Sequence, residues 1–391
     1  MNRKPALIFL GIVVYVLSTL VSYAIFSGSS VLSKIGGGQQ SSQTAKITND
    51  YQALTFDPTA AKTEECPLNG TMYSQDEKNW WEKHRPLGVM IENHFDARPQ
   101  SGINAADVTY EAVAEGGITR TLNVYYCQDA GIVGPVRSAR TYFLDFISEY
   151  GDYPLYAHVG GANTPGPADA LGQIGDYGWN QYNDLNQFSI GFPTFKRDES
   201  RLGREVATEH TMYSTTSQLW AVGVQRGLTN KDKKGNSWDD TFVKYSFKDN
   251  PDLSSRPAAQ SIHIDFWSDS NYAVDWTYSA KQNEYLRKNG GVPHMDRNTN
   301  KQLSAKNIVV LFMKESHAND GYEDNAHMLY GDKGTGQALV FLNGNEIKGT
   351  WKKADRTSRT LLLDSTGQEI KFTRGKIWFE IQPLDAEILV K

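Results

Sequence analysis

The residues with the clearest chemical potential are carboxylates and arginines of the first half. Glu111 and Glu115 lie in the run VTYEAVAE, and Arg120 lies in the run ITRTLNVYYC, with two glycines between the runs. Because glycine tolerates the positive φ of a tight turn, this pattern predicts a β-hairpin. With the glycines as its loop, Glu115 faces Ile118, and Arg120 lies diagonally between Glu111 and Glu115 on one face. We predict either a cross-strand ion cluster that fixes register or the polar floor of a binding cleft.

The segment GPVRSAR (residues 134–140) precedes a run in which apolar residues recur at helical spacing. Ser138 is well placed as the N-cap of that helix. Arg137 and Arg140 would flank the helix N-terminus, where free N–H groups and the helix dipole attract an anion. The alternatives are that Ser138 is only a cap and that the arginines pair with the hairpin carboxylates.

Other polar residues of this half complete two sets of candidates. The predicted ligand-binding residues are Arg98, Glu111, Glu115, Arg120, Arg137, Ser138, Arg140 and Arg197. The weaker candidates for a catalytic role are Glu92, Glu111, His158 and His210.

The two cysteines, Cys66 and Cys127, predict a disulfide in an oxidising compartment, although a buried thiol and an incidental one are the alternative. Two thiolates are too few for a zinc cage built of cysteines.

The sequence has no Walker A motif, nucleophile elbow, H-E-x-x-H helix or paired C-x-x-C. The run HANDGYEDNAH does not have the ligand spacing of a calcium loop. We therefore predict no metal and no cofactor.

The N-terminus predicts a membrane anchor. Residues 5–26 carry no charge and match the roughly 20 apolar residues that span a bilayer. Arg3 and Lys4 predict a cytoplasmic N-terminus and an extracytoplasmic remainder. A cleaved signal peptide is the alternative, but its apolar core is usually shorter. Residues 28–61 are rich in glycine, serine and glutamine in their first part, which predicts a flexible linker.

Composition limits the class of the folded part. The chain has 391 residues and a net charge of −5, which argues against a broad nucleic-acid surface. We predict an α+β protein: a cytoplasmic stub and single transmembrane helix (1–27), the linker (28–61), a mixed α/β N-terminal domain with the hairpin and one or two helices (62–227), and a β-rich C-terminal domain (228–391).

Several segments together resemble one protein family. IENHFDARPQSG, ADVTYEAVAEGGITR, GPVRSAR, HVGG, EHTMYST and the final GKIWFEIQP, in this order, are similar to the YerB-like family, whose members are described as bacterial lipoproteins. The resemblance covers roughly residues 63–391. It implies an N-terminal and a C-terminal domain of no established molecular function, so no catalytic residue carries over. This chain departs from the family in its anchor, since a transmembrane segment replaces the lipid-modified cysteine.

Two functional hypotheses follow. The first is a non-catalytic envelope protein that binds an anionic glycan, a lipid-linked ligand or a protein partner through its arginines, whose guanidinium groups suit phosphate and carboxylate. The second is a cell-wall glycan hydrolase or transferase that uses a carboxylate near Glu111. Such an enzyme needs two carboxylates about 5–9.5 Å apart. Glu111 and Glu115 would stand about 13 Å apart along a flat strand, so a third segment would have to supply the partner.

Overall fold

The computed structural model describes residues 53–391, which form a mixed α+β structure rich in strands, as the sequence predicts. The predicted transmembrane segment and most of the predicted linker lie outside the described residues. Within residues 53–391, no helix is both long and apolar enough to cross a bilayer.

Short helices and many short strands make up this part of the chain. The α-helices are α1 (Gln75–Trp81), α2 (Thr141–Ile147), α3 (Ala170–Asp176), α4 (Gln187–Ile190) and α5 (Thr216–Gln225). The strands are β1 (Glu64–Glu65), β2 (Met72–Tyr73), β3 (Leu87–Glu92), β4 (Val108–Glu115), β5 (Ile118–Tyr125), β6 (Ile132–Val133), β7 (Leu155–His158), β8 (Asp184–Asn186), β9 (Lys196–Arg197), β10 (Met212–Thr215), β11 (Phe247–Lys248), β12 (Ser261–Ile264), β13 (Val274–Ser279), β14 (Glu284–Asn289), β15 (Val292–Pro293), β16 (Met295–Asp296), β17 (Lys301–Gln302), β18 (Ser304–Ala305), β19 (Asn307–Met313), β20 (Glu315–His317), β21 (Met328–Tyr330), β22 (Gly334–Leu342), β23 (Asn345–Lys353), β24 (Leu361–Asp364), β25 (Phe372–Thr373), β26 (Ile377–Pro383) and β27 (Ile388–Val390).

A ten-stranded sheet runs through both halves of the described chain. Its order is β24-β23-β22-β19-β26-β4-β5-β3-β7-β8. The halves meet where β26 pairs in parallel with β4, with Glu380 opposite Glu111. A second sheet of the C-terminal half has the order β15-β14-β13-β12-β27, with β18 added beside β14. The predicted boundary at residue 227 therefore separates two stretches of sequence that share one sheet.

Stacked aromatic rings join the halves in the core. The ring of Tyr110, in β4, stacks on Phe379 of β26 at 4.6 Å and on Phe146 of α2 at 4.8 Å. All three side chains are completely buried. Removing a side chain of this size from water stabilises the fold by about 1.5–3 kcal/mol. The position of α2 against the sheet is fixed by this packing.

The predicted hairpin is present as β4 and β5, joined by Gly116 and Gly117 with φ of +54° and +82°. Its register contains an irregularity that the sequence does not reveal. Glu115 pairs with Ile118 as predicted, but the register shifts between Val113 and Glu115, and Ala112 is the residue that faces Arg120. Because successive residues of a strand alternate between faces, one extra residue moves Glu115 to the opposite face from Glu111. The prediction of a single polar face is wrong.

Two predictions about helices and loops also need correction. Helix α2 begins after Arg140, not after Ser138, and no side chain caps it. Its seven residues are all buried, so packing stabilises it rather than a cap. The stretch 163–186, which its polar composition predicts to be a long loop, contains α3 and the whole of β8.

Cys66 and Cys127 are joined by a disulfide, and no free cysteine remains in the chain. Asp107 lies beside it and accepts hydrogen bonds from the backbone N–H groups of Tyr126 and Cys127, at 2.8 and 2.9 Å. Burial raises the pKa of Asp107 to about 7. Since bonded cysteines present no thiolate, this buried group does not have the ligands of a metal site.

Candidate functional site

One face of the hairpin carries a sealed ionic network around Glu111. Glu111 Oε2 accepts from Arg287 Nη2 at 2.5 Å, and both side chains are completely buried. Its other oxygen accepts from Thr119 Oγ1 at 2.7 Å and from Asn93 Nδ2 at 3.1 Å. The structure therefore contradicts the prediction that Glu111 lies at a ligand or a glycosidic bond, because solvent does not reach its carboxylate.

Glu380 completes the sealed network from β26. Its Oε1 accepts from Trp276 Nε1 at 2.8 Å. Burial, with a second contribution from the adjacent Glu111, raises the pKa of Glu380 to about 8. The raised pKa favours the protonated form of Glu380 at neutral pH, which leaves the Arg287 guanidinium to its contact with Glu111.

The opposite face of the hairpin pairs Glu115 with two arginines. Glu115 Oε2 lies 3.2 Å from Arg120 Nη2, and Glu115 Oε1 contacts Arg140 Nη2. Arg120 also donates to the Ser138 carbonyl at 3.1 Å. Both arginines are about nine-tenths buried or more. Their guanidinium groups are used inside the protein, so the predictions that Arg120, Arg140 and Glu115 bind a ligand are not supported by their positions.

Arg98 is likewise committed to internal bonds. It donates from Nε to Asn93 Oδ1 at 3.1 Å, and from Nη1 to the Asn271 carbonyl at 2.9 Å. Burial lowers the pKa of Arg98 to about 10. These bonds connect the 92–100 loop to the C-terminal half, which is a structural role.

The segment 134–140 forms the floor of a groove because three strands hold it. Arg137 N donates to the Met90 carbonyl of β3 at 2.9 Å, and Val136 N donates to the Met212 carbonyl of β10 at 2.7 Å. Ala139 N donates to the Gly160 carbonyl at 2.9 Å, next to the end of β7. Arg137 and Ser138 are therefore fixed between β3, the start of β10 and the Gly160 turn that follows β7.

The groove has a volume of about 610 Å³. It is lined by Val136, Arg137, Ser138, Val159, Gly160, Gly161, Asn163, Leu171, Phe188, Arg197, Thr208, Glu209 and Met212. Three predicted residues, Arg137, Ser138 and Arg197, are brought together here. Two arginines and one glutamate leave the lining with a net positive charge.

Arg137 connects the groove to a buried carboxylate behind it. Its Nε lies 3.3 Å from Glu92 Oε1, and the side chain remains 28% exposed. Glu92 Oε2 lies 2.8 Å from His210 Nδ1. This hydrogen bond is the largest contribution that raises the pKa of His210. Glu92 and His210 thus support the groove from behind and do not line it.

His158 supports the groove from a buried position. Its Nδ1 donates to the Gly160 carbonyl at 2.6 Å, and its Nε2 lies 2.6 Å from Asp184 Oδ1. The ring is completely buried, so the predicted catalytic role for His158 is contradicted by its lack of solvent contact. Its contacts position the Gly160 turn.

One part of the groove lining is aromatic. Phe188 of α4 is 77% exposed and lies over Gly160. Gly160 has φ of +58°, and a Cβ there would come within 2.9 Å of the Phe188 ring. Asn186 Oδ1 accepts from both Gly160 N and Phe188 N at 3.2 Å. Only glycine allows the turn and the ring to approach this closely.

Sequence reasoning identified the basic residues of the groove but not Phe188, Asn163, Thr208 or Glu209. A short aromatic-containing stretch in a polar region gives no periodic signal.

Arg197 reaches the groove from β9, where its Nη1 donates to the Thr208 carbonyl and, at 3.2 Å, to Thr211 Oγ1. These bonds hold the guanidinium at the rim without covering it.

Comparison with known proteins assigns a family. Residues 70–229 match the family described as "Protein of unknown function (DUF3048) N-terminal domain", and residues 262–379 match its C-terminal domain. The chain is also 30% identical over 345 residues to "Putative lipoprotein YerB" of Bacillus subtilis (strain 168), covering 85% of this chain and 91% of that protein. This chain belongs to the DUF3048 family.

The crystal structure of the YerB protein from Bacillus subtilis shares this fold. The match has a TM-score of 0.67 at 25% sequence identity, covering 84% of this chain and all of the YerB chain. The family resemblance seen in the sequence segments is confirmed. DUF3048 membership supplies no activity, so the function must be argued from the groove itself.

Proposed function

We propose that this DUF3048 protein is a membrane-anchored, extracytoplasmic binding protein whose groove holds an anionic ligand of the cell envelope. The observation that carries the proposal is the arrangement of Arg137 and Arg197 around one open groove. Guanidinium groups bind phosphate and carboxylate through planar pairs of donors. Segment 5–26 would anchor the chain, in keeping with the name of its Bacillus subtilis relative.

The groove also suits a ligand that combines an acidic group with a ring. Phe188 offers an exposed aromatic face, while Ser138 and Asn163 offer hydrogen-bonding groups on the same lining. A volume of about 610 Å³ lies within the range of roughly 300–1,000 Å³ for small-molecule sites. An acidic sugar unit of a wall polymer has this combination of charge, hydroxyl groups and ring.

The test is sedimentation of the full-length chain with purified cell walls. We expect saturable binding that weakens with added salt, since screening reduces the attraction between exposed charges. Arg197→Ala and Arg137→Ala should each lower the affinity about tenfold or more, because a hydrogen bond to a charged group contributes about 1.5–3 kcal/mol.

The matched control is Lys348→Ala, which removes one positive charge from a side chain that is 81% exposed. It should bind as the wild type does. Arg197→Ala is the decisive variant, because Arg197 is exposed and its loss leaves the Glu92 pairing intact. Equal binding by wild type and both arginine variants, or no sedimentation of the wild type, would overturn the proposal.

A further inference from the structure

Two side chains of the 92–98 loop and one from the turn before β10 form a second polar group outside the groove. His94, Asp96 and His210 each place one nitrogen or carboxylate oxygen within 4.8 Å of the others. None of the three lines the groove. Two imidazoles and a carboxylate are a ligand set that suits zinc and related transition metals.

His210 is oriented by a carboxylate in the way that metal-binding histidines are. Its Nδ1 is hydrogen-bonded to Glu92 Oε2 at 2.8 Å, so Nε2 is the nitrogen left for an ion. Metal-ligating histidines almost always bond their second nitrogen to a carboxylate, a carbonyl or water, which fixes the ring and increases its basicity. Arg137 forms an ion pair with the other oxygen of Glu92, 3.3 Å away, which helps to hold that carboxylate in place.

His94 and Asp96 present their ligand atoms side by side. His94 Nδ1 accepts a 3.2 Å hydrogen bond from Asp96 N, so this nitrogen carries a lone pair. It lies 3.8 Å from Asp96 Oδ2. Two atoms that bind one zinc ion at about 2.0–2.2 Å each cannot be more than roughly 4.4 Å apart, and the 3.8 Å between His94 and Asp96 meets that limit. His210, whose ligand atom lies within 4.8 Å of the others, would move slightly closer on binding. The ion would replace the long bond from Asp96 N.

The His94 and His210 rings are stacked, with 14° between their planes and 4.8 Å between their centres. Because an imidazole lone pair lies in the plane of its ring, the partly exposed His94 ring would have to turn for both histidines to reach one ion. Arg204 Nη1 contacts Asp96 Oδ1 at 3.3 Å, which leaves Oδ2 for the ion. The Asp96 side chain is 44% exposed, so water can reach the group and fill a fourth position.

We propose that His94, Asp96 and His210 bind one divalent transition-metal ion, zinc by preference, with Glu92 as the carboxylate that orients His210. Three protein ligands and an open position would distinguish this site from a closed structural zinc site. The ligands come from the 92–98 loop and from the turn before β10, so a bound ion would fasten two segments that are distant in sequence. The proposal does not depend on what the groove binds.

The experiment is a zinc titration of the metal-free, full-length chain by calorimetry, with the bound metal counted after dialysis. We expect one zinc per chain and a higher thermal midpoint with zinc, since a ligand that binds only the native state stabilises it. His94→Ala and Asp96→Asn should lower the affinity at least 100-fold. Glu92→Gln should lower it about 10–100-fold, as changes to the carboxylates that orient metal-binding histidines do.

His317→Ala is the matched control, because His317 is an exposed histidine of the C-terminal half that is outside this group. It should bind zinc as the wild type does. Asp96→Asn changes a partly exposed side chain, so we expect this variant to fold. It therefore tests the proposal even if His210→Ala unfolds the protein. The proposal is overturned if the wild type shows no saturable zinc binding, or if Asp96→Asn and His94→Ala keep wild-type affinity.

Discussion

The two faces of the ten-stranded sheet carry similar residues in opposite settings around β3, β4 and β5. On one face, the sealed face, Glu111 and Arg287 are completely buried and bonded to each other. On the other, the open face, Glu92 of β3 pairs with Arg137, whose side chain is 28% exposed beside a groove. A charged pair thus stabilises the join between the two halves on the sealed face, whereas on the open face Arg137 is available to a ligand. Residue type does not distinguish these roles, whereas solvent access does.

The largest effect expected on the sealed face comes from replacing Arg287. Arg287→Met should lower the free energy of unfolding by about 3–5 kcal/mol, because it leaves the buried carboxylate of Glu111 without its partner. The measurement is denaturant unfolding at neutral pH. Adding Glu111→Gln to the same chain should recover part of the loss, since no buried charge then remains. A loss below about 1 kcal/mol would show that Glu111 is not sealed.

Glu380 should make the stability of the sealed face depend on pH. Its native pKa of about 8 is above its ordinary value of 4.5, so the native state binds the proton more tightly than the unfolded state. This contribution is complete below pH 4.5 and is lost as pH rises towards 8, by about 1.4 kcal/mol per pH unit at most. Relative to Glu380→Gln, the wild type should lose stability over this window when thermal or denaturant unfolding is measured at a series of pH values. Parallel curves for the two proteins would contradict the raised pKa.

A single hydroxyl of the sealed face should also matter for stability. Thr119 Oγ1 donates to Glu111 Oε1 at 2.7 Å and accepts from Asn93 Nδ2 at 2.7 Å. Thr119→Val keeps the shape but removes both bonds, and should cost about 1–3 kcal/mol because buried polar atoms lose their partner. Denaturant unfolding is the measurement, and Thr119→Ser, which keeps the hydroxyl, is the control. Equal losses in the valine and serine variants would assign the effect to packing.

The contrast between the faces shows where sequence reasoning stops. The Gly-Gly pair predicted the hairpin and its loop correctly, because turn chemistry is local. The register shift at Ala114 left no signal in the residues, and it moved Glu115 away from Glu111. One inserted residue moves every later side chain of the strand to the opposite face. A side-chain cluster predicted from alternation alone is therefore wrong even when the hairpin is predicted correctly.

Long-range pairing explains the rest of what the sequence could not provide. The sequence identifies segment 134–140 as basic and polar, but its two arginines have different environments. Arg137 lines the groove, whereas Arg140 pairs with Glu115. Which of them remains open depends on β3, β10 and the Gly160 turn, which are distant in sequence. His94 and Asp96 gave no metal motif, because their third partner, His210, comes from a distant turn.

The smallest expected effect belongs to Ser138 on the open face. Within the described chain its hydroxyl has no hydrogen bond to another protein group, and the residue lies partly exposed in the groove lining. Ser138→Ala should therefore change the free energy of unfolding by less than about 0.5 kcal/mol, the usual range for a surface substitution. The same variant should weaken cell-wall binding measurably, because the groove loses a donor next to Arg137. A loss of stability as large as that of Thr119→Val would mean that this hydroxyl serves the fold, and the open face would then resemble the sealed one.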